Sequence, residues 1–181
     1  LVTFGITPEY AETGYGYIKQ GRPIGDDGDA YAVSQFVEKP DPQTAMRYVN
    51  SGEYAWNSGM FMFPASLFLQ EIGSYQPEIL QQVTTALQKA QRDTDFIRLD
   101  TESFSNSPAI SVDYAVMERT QKAVVVPVSC GWSDAGAWDS LWRIGDKDKD
   151  GNVTSGQIYT RNTKNSYIHV EDGVPVATLG V

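Results

Sequence analysis

The run Ala123-Val124-Val125-Val126-Pro127-Val128 most constrains what this chain can fold into. A short, continuous apolar stretch bounded by polar residues reads as a strand covered on both faces, as in the interior of an α/β sheet. Helical patterns flank it. Ser111 stands as a cap before Val112, Ala115, Val116 and Met117, and Trp138, Leu141 and Trp142 recur at i, i+3, i+4.

The same alternation extends upstream. Val2, Phe4 and Ile6 alternate as in a strand. Residues 14–37 read as a hairpin: a glycine-broken strand over 13–19, a turn over 21–29, then a strand with Tyr31, Val33 and Gln35 on one face and Ala32, Ser34 and Phe36 on the other. Asp41 and Pro42 open a helix whose inner face is Ala45, Met46 and Val49, and Gly52 stops it. Residues 56–63 form an apolar strand ending at Pro64, followed by helices over about 65–72 and 77–91. Strands and helices mixed in this way predict an α/β or α+β layer architecture. From about Gly151 the texture changes to short β-like pieces, such as Gln157-Ile158-Tyr159 and Tyr167-Ile168-His169-Val170. The expected division is therefore residues 1–148 and a β-rich segment, 149–181.

Charge and composition exclude several function classes. The 181 residues carry a net charge of −9 and no Lys/Arg cluster, which argues against a nucleic-acid surface. No apolar run approaches the roughly 20 residues that span a bilayer. The chain starts at Leu1 without a Met or the pattern of a signal peptide, so it reads as an internal piece of a longer polypeptide. A single cysteine, Cys130, fits a reducing cytoplasm, and a single histidine, His169, excludes multi-histidine metal sites.

Four segments are able to carry chemistry. In Phe36-Val37-Glu38-Lys39-Pro40 an acid and a base stand at a strand end, where a carboxylate suits sugar hydroxyls and an ammonium suits phosphate; a solvated surface pair is the plainer reading. In Trp56-Asn57-Ser58-Gly59, Asn57 offers donor and acceptor to a vicinal diol and Trp56 a flat wall, against the alternative of a turn entering a strand. In Gly131-Trp132-Ser133-Asp134-Ala135-Gly136-Ala137-Trp138, Asp134 is placed for a divalent cation such as Mg²⁺ or, alternatively, caps the helix that follows, whose dipole Asp139 complements. In Gly14-Tyr15-Gly16-Tyr17 the glycines suit close approach of a ligand or a simple bulge. Two further patterns are decoys. Asp146-Lys147-Asp148-Lys149-Asp150-Gly151 begins like a calcium loop, but Gln157 stands where the bidentate Glu belongs, and Asn152-Val153-Thr154 matches a glycosylation sequon by chance.

Taken in order, Glu12-Thr13-Gly14-Tyr15-Gly16-Tyr17-Ile18, Phe36–Pro40, Trp56-Asn57-Ser58-Gly59-Met60-Phe61, Ser111-Val112-Asp113-Tyr114-Ala115-Val116-Met117-Glu118 and Gly131–Trp138 resemble the sugar-nucleotidyltransferase superfamily, and within it the bacterial mannose-1-phosphate guanylyltransferases. The resemblance implies the C-terminal half of a Rossmann-like α/β domain with a mixed sheet, plus the start of a β-helical tail. It implies that Tyr15, Gly16, Glu38, Lys39 and Asn57 line a sugar-phosphate site, that Lys39 and Asp134 serve catalysis, and that Asp134 holds Mg²⁺. It gives Asp113 no role. The implied reaction transfers GMP from GTP to mannose 1-phosphate, releasing pyrophosphate. The family's glycine-rich nucleotide loop is not in this sequence, so the chain alone is expected to be inactive, and pairing with a second copy is a further expectation. Another hexose 1-phosphate, or a non-catalytic sugar-phosphate-binding module, is the alternative. Glu38, Asn57 and Asp134 are expected to converge on one cleft.

Overall fold

The computed structural model describes residues 1–25, 28–171 and 173–181. They form two compact units, Leu1–Cys130 and Gly131–Val181. The division expected after residue 148 falls inside the second unit.

In the first unit, β1 (Val2–Ile6), β2 (Tyr17–Ile24), β3 (Ala30–Val37), α1 (Pro42–Ser51), β4 (Tyr54–Met62), α2 (Ala65–Tyr75), α3 (Pro77–Gln88), β5 (Gln91–Asp93), β6 (Phe96–Arg98), α4 (Thr101–Ser105), a π-turn (Asp113–Met117) and β7 (Val124–Val128) follow one another. Five strands pair in the order β1-β4-β2-β3-β7 and close on themselves, because β7 also pairs with β1. The β1–β7 ladder is parallel and the others antiparallel, so the sheet is mixed.

Several expectations meet a different geometry. The expected turn over 21–29 is shorter, since β2 continues to Ile24, and Asp26 and Asp27 of that turn lie outside the described residues. In β1 the fully buried positions are Thr3 and Gly5, not the alternate apolar residues. A Cβ on Gly5 would stand 2.9 Å from both the Ala55 and the Val125 side chains, so close strand packing decides this face. In β3, Tyr31, Val33 and Phe36 all pack on the same core, although the period of two puts Phe36 opposite the others. A bulge explains it: Lys19 pairs with Gln35 and Gln20 with Val33, leaving Ser34 over. In β7 only Val125 is fully buried; Pro127, on the same face, is exposed, and Val124, Val126 and Val128 on the other face are partly buried, so the strand is not buried along its length on both faces.

The helix starts that depend on local chemistry follow the sequence. The Asp41 carboxylate accepts from the Thr44 N–H at 3.0 Å and the Thr44 hydroxyl at 2.6 Å, and these bonds hold its pKa below the ordinary value. Gly52 closes α1 at φ 68°, with its N–H on the Val49 carbonyl. Only Ala45 and Val49 of the expected inner face pack inward; Met46 lies half exposed, about 100° round from Ala45. The Ser111 side chain does not cap, because the segment after it is a π-turn entered through Val112.

The largest core cluster gathers Ile18, Phe36, Ile72, Val116 and Val125; a second holds Tyr17, Ala45 and Trp56. On α2, the buried Glu71 carboxylate accepts from the Lys122 ammonium at 2.7 Å and the Thr120 hydroxyl at 2.6 Å. Those two hydrogen bonds, the lysine's first, hold the carboxyl below the usual carboxylate range.

In the second unit, α5 (Trp138–Ile144) is followed by β8 (Val153–Ser155), β9 (Ile158–Arg161), β10 (Tyr167–His169) and β11 (Val176–Leu179). β10 runs parallel beside β8, and β11 parallel beside β9. Of the expected α5 face, Trp142 donates its indole N–H to the Gly151 carbonyl at 2.8 Å, while Trp138 is 74% exposed, near Tyr167. The acidic turn is a capped turn: the Asp148 carboxylate accepts from the Asp150 and Asn152 N–H groups, and the Asn152 hydrogen bonds lead in lowering its pKa. The Asn152 side chain is buried, donating to Asp148 and to the Thr163 carbonyl and accepting from the Ser166 N–H, so its amide is used in packing. Among the described residues no helix is long and apolar enough to cross a membrane.

Candidate functional site

Three chain segments that are far apart in sequence meet at Gly16. It immediately precedes β2, and its carbonyl accepts the Asn57 N–H at 2.7 Å. A Cβ at position 16 would lie 2.6 Å from Glu38 Oε2 and 3.1 Å from Asn57 Cβ. The glycine is therefore required by close approach of two polar side chains, not by a bulge within the hairpin.

Glu38 and Lys39 form the turn that ends β3. The Glu38 N–H donates to Glu118 Oε1 at 2.9 Å, and the Lys39 N–H donates to the Tyr15 carbonyl at 3.3 Å. Lys39 takes φ 49°, a left-handed conformation that costs a non-glycine residue about 1–3 kcal/mol. The Glu38 side chain is 7% exposed and the Lys39 side chain 56%. The Lys39 ammonium donates to Glu38 Oε1 at 2.5 Å, and this bond, with the Glu38 charge, raises the lysine pKa above its ordinary value. The pair is thus more than two solvated charges. A buried carboxylate holds one end and an accessible ammonium the other, and Glu38 Oε2 is turned toward Gly16.

Asn57 lies in β4 and is buried. Its Oδ1 accepts from the Thr3 hydroxyl at 3.0 Å and from the Gly59 N–H at 3.2 Å, and its Nδ2 donates to Asp113 Oδ1 at 3.0 Å. A backbone N–H only donates and a carboxylate accepts, so these partners settle which end of the amide is oxygen. Both lone pairs are committed and one N–H remains. Asn57 is therefore able to offer a ligand a single donor, not the donor–acceptor pair expected for a diol. Trp56 is not an open wall either. It is buried in the second core cluster, edge-on to Tyr10 at 4.8 Å and Tyr15 at 5.3 Å. Tyr15 is brought to the site through its carbonyl and by this ring contact.

Sequence reasoning singled out Asp113 without a role and gave Thr3 and Glu118 none. Their functions depend on a strand face and a π register that no spacing rule shows.

Asp134 lies in the second unit, in the irregular segment before α5, and is exposed. Neither Asp134 nor Ser133 caps that helix; its N-cap is Ala137, without a side-chain bond. Ser133 instead accepts the Ala135 N–H at 3.4 Å. A Cβ on Gly136 would fall 2.6 Å from Asp134 Oδ2, so the loop folds back under the carboxylate. Asp139, in the first turn of α5, pairs with Arg143 at 2.9 Å. Among the described residues no group of three or more His, Cys, Asp or Glu could hold a metal ion.

The nucleotidyl transferase family model matches residues 1–151, and the chain belongs to that family. It is 52% identical over 181 residues to the mannose-1-phosphate guanylyltransferase of Salmonella muenchen, and 51% identical over 183 residues to that of Escherichia coli K12. In both cases all of this chain is matched but only 38% of the relative's length. Among solved structures it resembles one described as a mannose-1-phosphate geranyltransferase from Thermus thermophilus, with TM-score 0.83 and 31% identity, over 99% of this chain and 50% of that one. It also resembles a mannose-6-phosphate isomerase from Helicobacter pylori, with TM-score 0.66 and 31% identity, over 74% of this chain and 51% of that one.

Proposed function

We propose that this chain carries the sugar-phosphate side of a mannose-1-phosphate guanylyltransferase, which joins GTP and mannose 1-phosphate into GDP-mannose and pyrophosphate. The observation that carries the reading is the meeting of Gly16, Glu38, Lys39 and Asn57, with one free N–H, one buried carboxylate oxygen and one accessible ammonium. Those groups suit a hexose 1-phosphate: Lys39 takes the phosphate, Glu38 Oε2 accepts from a sugar hydroxyl, and the Asn57 N–H donates to another. The names of the relatives supply the sugar and the base.

In this reading the phosphate oxygen of the sugar attacks the α-phosphorus of GTP directly. The residues described here position and neutralise rather than form a covalent bond. Lys39, kept protonated by Glu38, holds the attacking phosphate. Asp134, uncapped and cradled by Gly136, fits a single carboxylate ligand of Mg²⁺. When bound, the ion neutralises phosphate charge. The nucleotide side is supplied by residues outside this chain, so the chain alone turns nothing over. The segment 149–181 begins a β-helical coil, a reading supported by the two parallel pairs stacked in the same order. The single free cysteine, Cys130, supports a reducing, cytoplasmic setting.

Kinetics test this in the longer polypeptide that completes the site. Lys39→Ala raises the KM for mannose 1-phosphate by about 10-fold or more, the scale of one charge-assisted hydrogen bond, and leaves the KM for GTP nearly unchanged. Equal constants for wild type and variant with both substrates would return Lys39 to an ordinary surface residue.

A further inference from the structure

We infer that the π-turn Asp113–Met117 is the positioning element of this site: Asp113 fixes the Asn57 amide and Glu118 fixes the Glu38–Lys39 turn. The turn closes through an i→i+5 bond, from the Glu118 N–H to the Asp113 carbonyl at 2.9 Å. In an α-helix, residues five apart point in directions about 140° apart. The extra residue of the π register brings positions 113 and 118 back to one side of the turn. Two carboxylates then face the same site. One receives the Asn57 Nδ2 at 3.0 Å and the other the Glu38 N–H at 2.9 Å.

Each bond has a consequence that packing alone does not supply. Without Asp113, the Asn57 amide would still meet the Thr3 hydroxyl, which is able to donate or accept, and only Gly59 would oppose a flip. A flipped amide would present oxygen where the site now presents N–H. Without Glu118, the Glu38 N–H at the head of the strained Lys39 turn would lose its acceptor. The buried triple of Ala115, Val116 and Met117 anchors the π-turn in the core, so both carboxylates are held from behind. Asp113 and Glu118 are positioning residues, acting on ligand only through Asn57 and Glu38.

The ligand in this inference rests on the sugar-phosphate reading; the ordering of Asn57 does not. The test uses the full 181-residue chain, ¹⁵N-labelled, as wild type, Asp113→Ala, Asp113→Asn and Thr3→Val. The Asn57 side-chain NH₂ resonances are followed first alone and then with mannose 1-phosphate as probe. Asp113→Ala displaces the NH₂ pair before any ligand is added and weakens the probe about 10-fold, the scale of a hydrogen bond to a charged group. Asp113→Asn retains an acceptor and restores both readouts to within about threefold of wild type. Thr3→Val keeps the buried shape, removes the hydroxyl, and shifts the same resonances should Asp113→Ala fail to fold. Unmoved NH₂ resonances in Asp113→Ala, or in Thr3→Val if only that variant folds, would overturn the inference, as would an Asp113→Asn variant as weak as Asp113→Ala. If wild type takes up no mannose 1-phosphate, the sugar-phosphate reading falls, and the ligand-free resonances alone decide the positioning claim.

Discussion

Lys39 and Ala135 share one feature and differ in what surrounds it. Both are non-glycine residues at φ 49°, each beside a carboxylate proposed to meet substrate or metal. The Lys39 turn is held from two sides, by the Tyr15 carbonyl and by Glu118, and its carboxylate is buried. The Ala135 turn is closed by its neighbour Ser133, and Asp134 is exposed. Left-handed strain at Lys39 is thus overdetermined by hydrogen bonds to the segment just before β2 and to the residue that closes the π-turn, whereas at Ala135 it is a local matter of the loop. The difference fits the two proposed partners. A sugar phosphate needs fixed donors and acceptors at set distances, and preorganisation limits what binding costs in ordering. A hydrated Mg²⁺ fills most of its octahedral shell with water and phosphate oxygens and takes only one or two carboxylates from protein, so a single exposed carboxylate on a loop suffices.

The sharpest way to break the contrast is to crowd the rigid side. Gly16→Ala puts a methyl within 2.6 Å of Glu38 Oε2. The Glu38 carboxylate end is able to shift, but Asn57 Cβ at 3.1 Å is not a flexible end and must also give, so a modest loss of stability accompanies the change. The site geometry changes as well, and affinity for mannose 1-phosphate falls about 10- to 100-fold, the scale of one hydrogen bond to a charged group. Calorimetric titration alongside thermal unfolding separates the two effects. A variant that binds as wild type does would mean the three segments need not meet.

The rigid side also depends on its frame. Glu71→Gln destabilises the first unit by about 1–3 kcal/mol at neutral pH, because a buried charge-assisted pair becomes a neutral one. The pH dependence has a definite sign. The folded carboxyl titrates below its unfolded value, near 4.3, so its stabilisation is complete above that pH and is lost as pH falls through the folded value. Denaturant unfolding between pH 7 and pH 3 shows wild type and Glu71→Gln converging at the acid end.

The smallest effect belongs to the loop. Asp134→Asn alters stability by no more than about 0.5 kcal/mol, as expected for an exposed side chain with no cap to lose. Metal-free affinity for mannose 1-phosphate stays at the wild-type value, while the response of the loop amides to Mg²⁺ disappears. A large loss of stability would place Asp134 in the structure rather than at a metal.

The parts legible in the sequence are those that local chemistry determines. Asp41, Pro42 and Gly52 mark α1 because caps and φ values act within a few residues. Gly16, Glu38, Lys39 and Asn57 were marked by a family resemblance and meet in the fold. What was not legible depends on register. One extra residue at Ser34 turns Phe36 inward, and one in the π-turn brings Asp113 and Glu118 together; neither leaves a periodic trace. Thr3 reads as the polar side of an alternating strand, yet it is buried against Asn57. The Met46 and Trp138 positions show the limit of apolar spacing, which gives a face but not its edge. The strands β5 and β6 are short and exposed, and the five-residue α4 buries only Ser103, so there is no amphipathic pattern to find.

Backbone amide mapping of the whole chain on titration with mannose 1-phosphate, first without and then with Mg²⁺, tests the central claim most directly. The account predicts that the sugar phosphate alone moves Gly16, Glu38, Lys39 and Asn57 together, with Asp113 and Glu118 following, and that residues 131–137 respond only once Mg²⁺ is added. Shifts confined to other surfaces, or a loop that responds while Gly16, Glu38 and Asn57 stay still, would contradict it.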